Sequence, residues 1–463
     1  MVTVSLVLGG CGSTPERPDI ILVTLDTTRA DRLGCYGYEL ASTPYLDEFA
    51  ASAIQFDNAV TAVPITSPSH ATMLTGKTPL RHGVHNNGTF YLDPAQMTLT
   101  EHLAGEGYQT AAFLSAYVLH RQFGLAQGFD VYDDDLIDER LATETNARVF
   151  AYLQRLEDRP LFLWVHYFDP HTPWDPPEPF ASQTRGTVYD AEISSMDAAF
   201  GELMEKLRAA GRFENAHVLV LGDHGEGLDD HGEREHGLFL YEETLRIPFL
   251  WKPPRYNGSE RSDELVGTVD LLPTVLDLLD REPPGPEEFD GFSLTPILHD
   301  KPLPMRTGLY AETLFPYYNF EWSPLFAYRS ASAKYIDAPR PEFYDLQTDP
   351  GERTNLLTIT QGIAATGNAA TGNAAAGNAT AGNAATGNAA AGNAATGGAA
   401  SGGAATATRD AATRDARTGD PAPDGAADQD PSAASASSRD ALAQDVPTGP
   451  GLPELAARLA KRL

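Results

Sequence analysis

Asp19-Ile20-Ile21-Leu22-Val23-Thr24-Leu25-Asp26 is an apolar run that stops on a carboxylate. Two later runs have the same form. Leu161-Phe162-Leu163-Trp164-Val165-His166-Tyr167-Phe168 leads into Asp169-Pro170-His171, and His217-Val218-Leu219-Val220-Leu221-Gly222 leads into Asp223-His224-Gly225. Runs of this length, without polar alternation, read as strands buried on both faces of a parallel sheet. Helical patterns lie between such runs from residue 19 to about 300, Val269 to Leu279 among them. The alternation predicts an α/β fold, a mostly parallel central sheet covered by helices on both faces. Ligands of open α/β sheets bind beyond the carboxyl ends of the strands. Asp26, Asp223, His224 and His171 are therefore expected at one edge.

Thr66-Ser67-Pro68-Ser69-His70-Ala71-Thr72-Met73-Leu74-Thr75-Gly76 reads as a strand-to-helix corner with a hydroxyl at the helix mouth. Pro68 suits the first turn and Gly76 the position just past the end. The free N–H groups and the positive dipole end of a helix N-terminus favour a phosphate or sulfate group. Taken alone, Thr66 also reads as a helix cap. A threonine hydroxyl becomes an effective nucleophile only when a metal or base activates it, and the three strand ends supply metal ligands.

Together these segments resemble the sulfatase family of the alkaline phosphatase superfamily. The resemblance rests on Leu25-Asp26-Thr27-Thr28-Arg29-Ala30-Asp31 with Leu33 to Gly37, on Thr66 to Gly76, and on His82-Gly83-Val84. It continues through Gly107 to Ala111, Pro170-His171-Thr172-Pro173-Trp174, Asp223-His224-Gly225-Glu226, Glu235-His236-Gly237 and Phe343 to Leu346 with Asp349-Pro350. It implies an alkaline-phosphatase-like sandwich over residues 19–300, with a small subdomain over 301–360. A hairpin is expected there from Tyr328 to Ile336.

The family's sulfatases carry a cysteine or serine, converted to formylglycine, in a C/S-x-P-x-R motif. Alignment on Pro68 puts Thr66 at that position and His70 at the arginine. Threonine cannot become formylglycine, so none is expected. Phosphodiesterases and head-group transferases of the superfamily use threonine, and the metal set this implies is Asp26, Thr66, Asp223 and His224. One divalent cation is expected, manganese or zinc rather than calcium, because an imidazole ligand suits the former. The resemblance makes Thr66 the nucleophile, His236 the first candidate for general acid, with His231 close by in sequence, and His171 a contact to the ester group. His70 either takes the arginine's part or packs on the helix, and Lys77 either contacts the anion or lies on the surface.

The 463 residues carry a formal charge of -31, which argues against nucleic acid or an anionic membrane face as partner. Of the two cysteines, Cys11 follows an apolar stretch in Leu8-Gly9-Gly10-Cys11-Gly12, a pattern resembling a bacterial lipoprotein signal. Residues 1–18 are thus read as signal and tether, with Cys11 lipidated and the protein held at the cell envelope, facing the periplasm or exterior. Lipid would be the only membrane contact, since no segment is long enough to span. Cys35 is left without a disulfide partner. From Ala364 an Ala-Ala-Thr-Gly-Asn-like unit repeats, with glycines at 367, 372, 377, 382, 387 and 392. It has no large apolar residue to fill a core, so 361–450 is read as disordered. Leu455, Leu459 and Leu463 then suggest a helix over 451–463.

The expected activity is metal-dependent hydrolysis of small sulfate or phosphate esters, glycan- and lipid-borne ones included. The alternatives are a transferase moving a phosphoryl-linked head group onto an envelope glycan or lipid, and a non-catalytic envelope binding protein.

Overall fold

Residues 19–25 form β1 (Asp19–Leu25), the centre of a nine-stranded sheet. The others are β2 (Ile54–Val60), β3 (Gln109–Phe113), β4 (Val131–Asp133), β5 (Leu161–Tyr167), β6 (Ala216–Gly222), β7 (Arg246–Lys252), β8 (Glu260–Ser262) and β9 (Val266–Gly267). The order is β4-β3-β5-β1-β6-β7-β2-β8, with β9 also paired to β2. β1 pairs in parallel with both β5 and β6, while β7 runs antiparallel to both its neighbours. The sheet is therefore mostly parallel, as the three apolar runs foretold. Their residues divide between two cores: Ile20 and Leu22 pack on one face, Ile21, Val23 and Leu25 on the other. That division is why polar and apolar residues do not alternate along the runs.

The computed structural model describes residues 17–136, 139–281 and 288–358, with Glu454, Ala457 and Arg458, all within one compact unit. Cys11, the 361–450 tract and most of 451–463 lie outside the described residues. Among the described residues no helix is long and apolar enough to cross a membrane.

A second sheet contains β10 (Leu309–Thr313), β11 (Leu325–Arg329), β12 (Ala333–Asp337) and β13 (Glu342–Asp345), all antiparallel neighbours. It includes the hairpin expected between Tyr328 and Ile336. One face shares a core with Leu240 and Leu245, and the Glu312 N–H bonds to the Ala62 carbonyl at 3.0 Å. The segment expected as one helix from Val269 to Leu279 is divided, a 3-10 turn over Thr268–Asp270 preceding the α-helix Leu271–Leu278. Asp270 explains the break: its carboxylate accepts the Gly267 and Phe292 N–H groups and pairs with Arg306, which fixes the turn.

Candidate active site

β1, β5 and β6 lie side by side with their carboxyl ends level. Leu25 is in register with Tyr167 and Gly222, so the next residues emerge together. Asp26 donates its N–H to the Tyr167 carbonyl at 2.9 Å, and Asp223 donates to that of Leu25 at 3.3 Å. Thr27 then takes φ 48°, a left-handed conformation unusual for a β-branched residue. That turn aims the Thr27 N–H at Asp223 Oδ1, 3.2 Å away, and the His224 N–H reaches the same oxygen at 2.8 Å. Asp223 Oδ2 has no hydrogen-bond partner, nor has either carboxylate oxygen of Asp26.

The third member is His224. Its Nδ1 donates to the Gly225 carbonyl at 3.0 Å, which leaves the Nε2 lone pair facing inward. Nε2 lies 3.6 Å from Asp26 Oδ1 and 3.6 Å from Asp223 Oδ2. Asp26, Asp223 and His224 are all fully buried and offer ligand atoms within 4.8 Å of one another. Burial and the neighbouring Asp26 charge push the Asp223 carboxyl well up. Burial works the same way on Asp26, but His166, with Nε2 3.2 Å from Asp26 Oδ2, and the facing His171 and His224 outweigh it and hold that carboxyl low. Burial, with His236 beside it, keeps His224 neutral. Two buried carboxylates and a neutral imidazole, with three orphaned oxygens, fit a divalent cation.

Thr66 enters from the other side. The helix Thr66–Thr75 has Thr66 as its first residue, after extended Ile65, so the hydroxyl stands at the N-terminal mouth. Thr66 Oγ1 is 3.3 Å from His224 Nε2. The cap role is not used: Ile65 is the capping residue, and the Ser67 N–H goes to Asn87 Oδ1 at 2.8 Å. Gly76, at φ 64°, ends the helix as expected.

His236 and His171 flank this pocket. The His236 ring is 4.4 Å from that of His224 and 5.3 Å from that of His171. Its Nδ1 bonds Glu226 Oε1 at 3.1 Å. Burial alone lowers the His236 pKa, but the Glu226 bond and charge prevail and the group is raised. His171 donates Nδ1–H to the Thr172 carbonyl at 2.6 Å and stacks on Phe168.

His70 and Lys77 are placed differently. His70 is fully buried, with Nδ1 donating to the Thr66 carbonyl at 2.8 Å and Nε2 at 3.1 Å from Thr24 Oγ1. Burial brings its pKa to about 3, so it is a neutral strut beneath Thr66 and no anion contact. Lys77 lies past the far end of the same helix, about 15 Å along its axis, and bonds Gln96 Oε1 at 2.8 Å. The structure does not bring it to the pocket. His231 is also elsewhere: it pairs with Glu243 at 2.6 Å and stacks on Tyr241.

Sequence reasoning assigned no role to His166 or Glu226. His166 Nε2 stands 3.2 Å from Asp26 Oδ2, and its Nδ1 contacts Thr24 Oγ1 at 3.0 Å. The signal was present in both cases. His166 and Thr24 are the polar interruptions of two buried runs, in register with each other, and Glu226 closes Asp223-His224-Gly225-Glu226.

Comparison with known proteins agrees with this geometry. The family described as "Sulfatase" matches residues 18–281, and "N-sulphoglucosamine sulphohydrolase, C-terminal" matches 234–366. Arylsulfatase A of Homo sapiens is 27% identical over 428 residues, covering 73% of this chain and 83% of its own. The ulvan-active sulfatase of Formosa agariphila is 26% identical over 403 residues, covering 74% and 78%. Among solved structures, one in complex with its substrate D-glucosamine-2-N,6-O-disulfate has a TM-score of 0.65 at 20% identity, covering 76% of this chain and 96% of its own. The phosphonate monoester hydrolase of Agrobacterium radiobacter has 0.64 at 18%, covering 77% and 94%.

Proposed function

The chain belongs to the sulfatase family, and from that premise we propose that it is a metal-dependent hydrolase of phosphate, phosphonate or sulfate esters with Thr66 as nucleophile. The observation that carries this reading is Thr66 Oγ1 at a helix N-terminus, 3.3 Å from the inward nitrogen of His224 in a pocket of unpartnered carboxylates. Asp26, Asp223 and His224 would hold a divalent cation, which supplies positive charge where negative charge develops. Manganese and zinc suit this mixed oxygen and nitrogen set.

In the proposed reaction, Thr66 Oγ forms a bond to phosphorus or sulfur as the bond to the departing alcohol oxygen breaks, and the hydroxyl proton passes to solvent, from which His236 is recharged at the end of the cycle. The helix N-terminus faces the anionic group during the transfer. His236, kept protonated by Glu226, gives its proton to the departing oxygen, and His171 beside it orients the ester. Water then attacks the Thr66 ester at phosphorus or sulfur and regenerates the hydroxyl. A threonine ester lacks the second hydroxyl through which a formylglycine diol expels sulfate. This chemistry favours the phosphorus esters, in keeping with the likeness to a phosphonate monoester hydrolase. The relatives that act on glycan sulfates support a sugar-borne ester as the second reading. The Cys11 pattern would put the activity at the cell envelope on a lipid anchor.

The test is turnover of matched aryl phosphate, phosphonate and sulfate esters with added manganese, zinc or calcium. Thr66→Ala should lower kcat by about a thousandfold or more while metal binding and Tm stay near wild type. A Thr66→Ala protein that keeps its turnover would sink the proposal.

A further inference from the structure

Thr24 is the residue of β1 whose side chain meets the nucleophile helix. Ile21, Val23 and Leu25 face one core, so Thr24 faces the other, where Ala71, Met73 and Leu74 of the Thr66–Thr75 helix lie. Thr24 is fully buried, and three ring nitrogens converge on its one hydroxyl. Trp164 Nε1 lies 2.9 Å away, His166 Nδ1 3.0 Å and His70 Nε2 3.1 Å. The centroid of the His70 ring is 5.1 Å from that of Trp164 and 5.0 Å from that of His166, so the three rings close around the oxygen.

A hydroxyl has one proton to give and two lone pairs to offer, and here all three are used. The Trp164 indole can only donate, and it takes one lone pair. His70 donates Nδ1–H to the Thr66 carbonyl at 2.8 Å, because a carbonyl only accepts. A neutral His70 therefore has a bare Nε2, and the Thr24 proton goes there. His166 fills the remaining lone pair through Nδ1–H. Its other nitrogen, Nε2, stands 3.2 Å from Asp26 Oδ2. The contacts thus run unbroken from Asp26 through His166, Thr24 and His70 to the backbone of Thr66.

We propose that Thr24 is a positioning residue, which fixes Asp26 and Thr66 relative to each other through His166 on one side and His70 on the other. It acts through these two rings and is itself no ligand of metal or ester. This role rests on the catalytic reading above and adds a residue that no motif marks. Thr24 lies inside a buried strand, and its partners are 46, 140 and 142 residues away in the chain.

The experiment uses the full chain, with manganese and zinc affinity measured by calorimetry and kcat and KM measured on an aryl phosphate. Thr24→Val keeps a β-branched side chain in the strand and removes the hydroxyl. It is expected to weaken metal binding about tenfold or more, and to lower kcat by about tenfold to a hundredfold with KM near wild type. Thr24→Ser restores the hydroxyl and should bring both quantities back close to wild type. Thr274→Val is the control, since that buried hydroxyl donates to the Asp270 carbonyl at 2.6 Å and accepts the Leu294 N–H at 3.0 Å. It should lower Tm as Thr24→Val does, yet leave metal affinity and kcat unchanged. If Thr24→Val behaves like Thr274→Val, or if the serine variant fails to recover, the positioning role is wrong. A wild-type chain with neither metal binding nor turnover would instead overturn the catalytic reading, and this role with it.

Discussion

Two clusters of buried charge in this protein are built on opposite terms. Beneath the small sheet, fully buried Lys334 lies 3.1 Å from Glu242 and 2.8 Å from Glu352, and Arg329 pairs with Glu242 at 2.9 Å. Glu352 also accepts the Glu242 N–H at 2.6 Å. Each charge there meets an opposite charge of the chain itself. At the strand ends, Asp26 and Asp223 lie against His224, whose imidazole burial keeps neutral, and three of their four oxygens have no hydrogen-bond partner. Folding leaves such groups unmatched only at a cost. The first cluster is closed, and the second has the unmatched oxygens that the proposed divalent cation would take. Their contrast separates function from architecture better than the count of acids in either.

The largest effect that would sharpen this contrast is Lys334→Met. Removing the shared cation strands Glu352 and leaves Glu242 to Arg329 alone, and denaturant unfolding should register a loss of about 3–5 kcal/mol. A neutral result would mean that the closed cluster is not structural.

His217 tests the same rule for a buried base away from the site. Burial, and then Lys252, lower it to about 4, and Trp251 Nε1–H donates to its Nδ1. The unfolded chain takes up a proton near pH 6.5 that the folded chain refuses until about pH 4. Stability is therefore fully present above pH 6.5 and falls by up to about 3 kcal/mol as pH drops to 4. His217→Gln should flatten that slope in unfolding curves taken across the window.

Glu226→Gln probes the dyad at the pocket edge. The expected loss in kcat is about tenfold to a hundredfold. Because Glu226 raises the His236 pKa, the alkaline limb of the rate profile should also move to lower pH. An unmoved limb would remove His236 as the acid.

The smallest effect has the opposite sign. With chelator present, Asp223→Asn relieves a buried carboxyl that burial and Asp26 push well up and should raise stability by about 1 kcal/mol. It should also abolish stabilisation by added manganese or zinc. A destabilised metal-free variant would place this pocket with the closed cluster.

The central strands were legible because burial on both faces writes itself as continuous apolar sequence, and the register of β1, β5 and β6 carries Asp26, Asp223 and His224 with it. Thr66 was legible from Pro68 and Gly76, which bound its helix. What lies across the chain was less so. His70 is beneath Thr66 because its ring reaches back one turn to the Thr66 carbonyl, a choice the sequence leaves open. Lys77 was left between anion contact and the surface because a linear motif does not convey the ten helical residues that separate it from the mouth of the helix. His166 acts through Thr24 and Asp26, partners more than a hundred residues away, and nothing local marks that pairing.

The most direct measurement is rapid quenching during turnover of an aryl phosphate, followed by peptide mass spectrometry. One phosphoryl group is expected on the peptide that contains Thr66, absent in Thr66→Ala and formed only with divalent metal. Steady turnover with an unmodified Thr66 peptide, or with the group on another residue, would contradict it.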